Sequence, residues 1–241
     1  MRVLALDTTT RAGSVALVDD GRVIGERGGD ASRTHAERLP AEIVALVDAC
    51  GLALADIDLF AVASGPGSFT GLRIGIATMQ GLALVGGRRM AGVPALDALG
   101  HLASREARAG TYVAAWMDAH RRDVFAALYR VGPAPLFEPE RLCEIEGPSV
   151  GEPAAVVARW RRAVGDACVD VMGDGAALFA DVMARDAPGW RVLTPALLAG
   201  AIGQIALARA RRGETVDPAG LHPLYIRRPD AEVARDRRVA D

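Results

Sequence analysis

The stretch Gly65-Pro66-Gly67-Ser68-Phe69-Thr70-Gly71-Leu72-Arg73-Ile74-Gly75 constrains this chain more than any other. It follows a short apolar run, residues 58–64 (DLFAVAS), and leads into residues 72–85, which are apolar nearly all round. A buried strand, a glycine-rich turn and a buried helix make a βα unit, so the fold must contain a sheet with helices packed on it. The glycines permit positive φ and close backbone approach, and the helix N-terminus offers N–H groups to an anion. No lysine follows the glycines and the spacing is not GxGxxG, so neither a P-loop nor a dinucleotide fingerprint is present. Two readings stay open. Gly65 and Gly67 can approach a nucleotide, or Gly71 and Gly75, four apart on one helix face, can admit another helix at close range.

The other elements follow from periodicity and turn chemistry. Residues 1–6, 14–18 and 22–27 read as three strands, with Asp19-Asp20-Gly21 as a hairpin turn. Leu39, Ile43, Leu46, Val47 and Cys50 share one face of a helix over 35–50, and Gly51 closes it. Beyond residue 110, strands are expected at 112–117, 124–130 and 169–172, and helices at 156–164, after the turn 173–176 to about 184, and at about 196–212. The region 132–153 reads as polar and proline-bearing, and 104–109 as a charged, helix-like stretch. Strand, turn and helix recur in both halves, so the chain is expected to be a duplicated α/β fold with lobes at 1–105 and 106–241, the tail returning to the first lobe.

Charge and cysteines limit the function classes. Against 28 basic residues stand 30 acidic ones, a formal net charge of -2, so no overall field draws in nucleic acid unaided. The pairs Arg121-Arg122, Arg161-Arg162, Arg211-Arg212, Arg227-Arg228 and Arg237-Arg238 are interleaved with acids and read as solvated faces. Three scattered cysteines, Cys50, Cys143 and Cys168, fit a reducing compartment and form neither a disulfide framework nor a thiolate zinc site. No signal peptide is legible, and the stretch 81–87 is too short to span a bilayer, so a cytoplasmic protein without membrane contact is expected.

Few residues could carry chemistry. Asp7-Thr8-Thr9 sits in a tight turn between two strands, where an acid and hydroxyls can hold phosphate and metal or can cap their own backbone. His35 and Glu37 invite a hydrolase reading, yet no serine partner or third orienting group accompanies them, and His35 reads as a helix-start residue facing solvent or a partner. Asp174, in Gly173-Asp174-Gly175, is either a second phosphate-side acid or an ordinary turn residue. His101 reads as a solvated or capping residue, and the four histidines lack metal spacing.

Asp7-Thr8-Thr9, residues 32–40 (SRTHAERLP), 65–75 (GPGSFTGLRIG), 117–125 (MDAHRRDVF) and 222–227 (HPLYIR) together resemble the TsaB (YeaZ) family over almost the whole chain. The resemblance implies a two-lobed actin-like (ASKHA) fold and a non-catalytic role beside the catalytic subunit TsaD and the ATPase TsaE. That complex places threonylcarbamoyl on adenosine 37 of tRNA, and tRNA is expected to reach this chain through the complex only. The catalytic relatives carry an HxxxH metal pair, and here Ala95 and Leu99 stand at those positions. No metal and no tightly bound cofactor are therefore expected, while ATP or ADP at the complex interface and a homodimer of the isolated chain stay open. The implied partner surface uses helices 34–50 and 72–85, with His35, Leu39, Ile43, Val47, Leu72, Gly75, Ile76 and Met79. Asp7, Thr8, Thr9, Gly65 and Gly67 are the nucleotide-contact candidates. The rival function is an independent ATPase of the actin superfamily or a glycoprotease-like peptidase.

Overall fold

The computed structural model describes residues 1–227. Arg228, Arg237 and Arg238 therefore lie outside the described residues. The first half contains β1 (Arg2–Asp7), β2 (Ser14–Asp19), β3 (Arg22–Gly28), α1 (His35–Ala49), β4 (Leu59–Gly65), α2 (Phe69–Gly86), β5 (Arg89–Pro94) and α3 (Ala95–Ala103). The second contains β6 (Tyr112–Asp118), β7 (Val124–Val131), β8 (Leu142–Gly151), α4 (Pro153–Val164), β9 (Val169–Met172), α5 (Asp174–Leu178), α6 (Ala180–Asp186), β10 (Arg191–Leu193) and α7 (Ala199–Arg211).

The two sheets repeat one topology. The first runs β3-β2-β1-β4-β5 and the second β8-β7-β6-β9-β10, each with an antiparallel meander followed by two parallel strands. Strand β1 thus corresponds to β6, and β4 to β9. In β1, Val3 and Ala5 face a central core while Leu4 and Leu6 face an outer one, so both sides of the strand are buried.

Five layers result. Helices α1 and α2 cover the outer face of the first sheet, and α4, α5 and α6 that of the second. Between the sheets lie α3 and α7, and they cross over: α3 packs mainly on β6, β7 and β9, whereas α7 packs on β1, β2 and β4. Gly203 makes this possible, because a Cβ there would stand 2.6 Å from Val18 Cγ2. The return to the first lobe thus begins with α7, well before the tail. Residues 104–109, expected to be helix-like, form turns.

By length and composition α2 is apolar enough to cross a membrane. Its Gly71, Leu72, Gly75, Ile76, Met79 and Ala83 are instead buried in the fold. On its outward side Leu84 and Val85 remain 73% and 91% exposed.

Candidate functional site

A cleft opens between the sheets where β1 and β6 end. Three contiguous cavities of about 440, 510 and 460 Å³ line it. The middle one brings Thr9 and Thr10 of the β1–β2 turn opposite Asp118 and His120 of the β6–β7 turn.

The first turn is self-contained. Asp7 Oδ1 accepts from the Thr9 backbone N–H at 2.8 Å and the Thr9 hydroxyl at 2.6 Å, closing an Asx turn. Burial raises the Asp7 pKa, the Thr9 hydrogen bonds oppose that shift, and the charge of Asp174 adds to it. The Ser68 N–H donates to the Thr9 carbonyl at 2.8 Å, stitching this turn to the start of α2. The glycines serve the same packing. A Cβ on Gly71 would lie 2.2 Å from the Thr8 carbonyl oxygen, and one on Gly75 would lie 2.1 Å from Thr8 Oγ1. Gly71 and Gly75 therefore admit a hairpin turn, not a second helix. A Cβ on Gly67 would likewise lie 2.5 Å from Thr9 Cβ, and one on Gly65, at φ +122°, 2.5 Å from the Leu224 carbonyl oxygen. Of the five nucleotide-contact candidates, only Asp7 and Thr9 line the cavities beside the turn, and Gly67 lines the one at the cleft mouth.

His35 is not solvated. It is buried, its Nδ1 accepts from Arg38 Nη2 at 2.8 Å, and its Nε2 lies 3.0 Å from the Thr10 carbonyl. A guanidinium can only donate, so the proton sits on Nε2 and both ring nitrogens are committed. Desolvation, aided by the Arg38 charge, lowers its pKa and keeps the ring neutral. Arg38 is itself buried and pairs with Glu42 while donating to the Ala12 carbonyl. His35 thus clamps the first turn onto α1 and has no nitrogen left to act as a base.

The expected partner residues are corrected by burial. Leu39, Ile43, Val47, Leu72, Ile76 and Met79 are at most 4% exposed, and all but Leu72 belong to the core between the first sheet and its outer helices. Gly75 is buried on Thr8. The helical pattern identifies the inward face, which is the face a partner cannot touch. The outward face carries Pro40, Val44 and Ala45 of α1 and Ala77, Gly81, Leu84 and Val85 of α2.

The β6–β7 turn, which the sequence marks only as a motif of the resemblance, supplies an acid that was not among the site candidates. Asp118 ends β6 as Asp7 ends β1, so it, rather than Asp174, is the topological counterpart of the first acid. Asp174 Oδ1 accepts from the backbone N–H groups of Asp118 at 3.0 Å and Gly175 at 2.8 Å, pinning the second turn to α5. His120, Arg121 and Arg122 all adopt positive φ, at 56°, 56° and 66°. Left-handed backbone costs about 1–2 kcal/mol per non-glycine residue, so three in succession mark a turn held by its surroundings.

Part of that hold comes from the chain's last described segment, residues 221–227. Leu224 N–H donates to the Ser64 carbonyl at 2.6 Å, and Gln80 Nε2 donates to the carbonyls of Pro218 and Leu221. Tyr225 stacks on Phe69, then Arg227 Nη1 donates to the Ala119 carbonyl at 2.7 Å and Nη2 pairs with Asp123. The segment is a strap fastened to the first lobe at one end and to the second at the other.

The two positions that the resemblance sets against a metal-binding pair carry apolar side chains. Ala95 is fully buried, and Leu99, 3% exposed, faces the cavity that Asp7 lines. Among the described residues no group of three or more His, Cys, Asp or Glu could hold a metal ion. These two apolar residues do not fit a divalent metal. His101, expected at the surface, is buried at 5% exposure, where its Nδ1 accepts from the Phe137 N–H at 3.2 Å. Desolvation, helped by Arg141 and Arg209, lowers its pKa to about 4.

Comparison with known proteins agrees with this architecture. A family model described as TsaD: tRNA N6-adenosine threonylcarbamoyltransferase matches residues 25–147. The chain is 41% identical over 130 residues to an Escherichia coli protein, tRNA threonylcarbamoyladenosine biosynthesis protein TsaB, an alignment spanning 54% of this chain and 55% of that protein. The solved structure of YeaZ from Pseudomonas aeruginosa superposes with a TM-score of 0.73 at 31% identity, covering 93% of this chain and 99% of that one. An activator of 2-hydroxyisocaproyl-CoA dehydratase from Clostridium difficile, at 12% identity and a TM-score of 0.52, shares the actin-like fold.

Proposed function

The chain belongs to the TsaB (YeaZ) family of tRNA threonylcarbamoyladenosine biosynthesis, and from that premise we propose that it is the non-catalytic subunit that binds and activates a TsaD-type transferase. The observation that carries this reading is the outward face of α1 and α2. Val44 is 47% exposed, Leu84 73% and Val85 91%, on faces that also expose Pro40, Ala45, Ala77 and Gly81 together with the charged Glu37, Asp48 and Arg73. Exposed apolar side chains among small residues suit helix-to-helix contact with a partner. In the isolated chain the same face closes on a second copy. The ATPase TsaE joins the assembled pair, and ATP or ADP, where the complex holds it, sits at the subunit interface. The committed nitrogens of His35 speak against an independent peptidase, and Leu99 in the cleft against a metal-dependent ATPase.

Co-purification with a TsaD homologue tests the proposal. Replacing Val85 by Asp places a charge on that face without touching the core, so the melting temperature is expected to hold while the complex weakens by about 2 kcal/mol or more, the loss typical of an interface hot spot. A V85D protein that still binds the homologue with unchanged affinity would refute the assigned face.

A further inference from the structure

A further cavity, of about 330 Å³, lies between α3, β7, β8 and α7 and shares no lining residue with the three cavities of the cleft. We propose that it is a binding site for a small uncharged molecule with an apolar body and a hydroxyl head, the hydroxyl bridging His101 and Asp97. The volume stands at the lower end of the range of about 300–1,000 Å³ usual for ligand pockets.

An unused donor points to the ligand. His101 is 5% exposed and its Nδ1 accepts from the Phe137 N–H, so the ring of the neutral side chain carries its proton on Nε2. That N–H has no acceptor among the described residues, and a buried donor left unpaired is destabilising. It is not sealed into the packing as Thr8 Oγ1 and Trp116 Nε1 are, and the space against the ring is this cavity. Asp97, one turn earlier on α3, supplies the complement. Its Oδ1 accepts from the Tyr129 hydroxyl at 2.9 Å, whereas its Oδ2 has only Arg209 Nη2, at 3.9 Å. Side chains four apart on a helix are neighbours, with Cβ atoms about 6 Å apart, so one oxygen can reach both groups. A hydroxyl accepts from His101 and donates to Asp97 through that single atom. A carboxylate can only accept and an ammonium only donate, so either leaves one group unpaired.

Charge and shape argue the same way. Three acids, Asp97, Glu144 and Glu214, line the cavity against two arginines, and both arginines are engaged. Arg212 holds Glu138 and Glu214, and Arg209 donates to the Gly92 carbonyl, which leaves no lining cation free for an anionic head. Phe137, Leu142 and Ile205 give the apolar part of the wall. The Phe137 ring is fixed 5.7 Å from the His101 ring by a backbone at φ +68°, a conformation that its surroundings must hold.

NMR of the full chain carrying nitrogen-15-labelled histidine tests this at pH 7. The protein is titrated with benzyl alcohol and, in parallel, with benzoate, benzylammonium and toluene, which keep the ring and change the head. The His101 signals, assigned by their loss in His101→Gln, are expected to move with benzyl alcohol. The other three probes are expected to bind about tenfold more weakly, the loss that one unpaired buried polar group accounts for. Asp97→Asn offers a donor where the hydroxyl needs an acceptor and should weaken benzyl alcohol about tenfold. Leu142→Trp, on the partly exposed strand β8, fills the cavity without touching either polar group and should abolish the shift. It keeps the test decisive should Asp97→Asn fail to fold. His101 signals that benzyl alcohol leaves unmoved mean that water alone caps the donor, and they overturn the proposal. Benzoate, benzylammonium or toluene binding as tightly as the alcohol overturns it too, as does a shift that survives Leu142→Trp.

Discussion

At the scale of single residues, buried polar groups set the pH and mutational response. His101 has a folded-state pKa of about 4 against an ordinary value of 6.5. The unfolded chain therefore takes up a proton that the folded chain refuses, and stability is full above about pH 6.5 and falls toward pH 4. The loss approaches about 3 kcal/mol, at about 1.4 kcal/mol per pKa unit. Buried Asp7 and Asp97, whose pKa values burial raises, work in the opposite direction, so the term must be isolated by comparison. Denaturant unfolding at pH 7 and pH 5 should show that His101→Gln has lost much of the wild-type acid sensitivity. Gly75 gives a second test. Alanine gains about 1 kcal/mol of helix propensity, but its Cβ meets Thr8, and overpacking costs about 1–3 kcal/mol. Net destabilisation of Gly75→Ala is expected, with partial rescue by Thr8→Ala, because Thr8 Oγ1 is buried without a hydrogen-bond partner. A double mutant no more stable than Gly75→Ala would contradict the contact.

At the scale of elements, most apolar runs were legible, but β5 and α3, apolar and buried as they are, were not assigned from the sequence. Strands β1, β4, β6 and β7 and helices α1 and α2 were readable because both faces of each strand, or one face of each helix, are buried. Strand β8 was hidden: Glu144, Glu146, Gly147 and Pro148 occupy a largely exposed edge, which leaves no apolar alternation. The three residues of β10 are too few to show a period, and the helix expected after Gly173 is interrupted at Phe179. The cleft was legible only in part, since Asp7 and the glycines announce themselves locally, whereas Asp118, the strap and Tyr225 acquire meaning by non-local pairing. The strap invites its own test. Arg227→Ala removes the bonds to Ala119 and Asp123, so hydrogen exchange at residues 118–124 is expected to quicken by about tenfold, equivalent to about 1.4 kcal/mol of local protection. Unchanged exchange there would mean that the strap does not hold the turn.

At the scale of the whole molecule, the crossed helices govern how the protein is made. The inner face of the first sheet, including Val3, Ala5, Val18 and Ala61, is covered by Ile202, Ala206 and their neighbours on α7. A ribosome releases those covering residues long after the first sheet, so the first half of the nascent chain waits with an apolar sheet face in water. Long-range closure of this kind slows folding and lengthens exposure to chaperones and to aggregation. A fragment of residues 1–105 is expected to lack a cooperative unfolding transition, and adding a peptide of residues 195–213 in trans should restore it. The duplicated topology suggests two independent halves, yet neither half owns the helix that finishes it, and the chain matures as a single act of assembly.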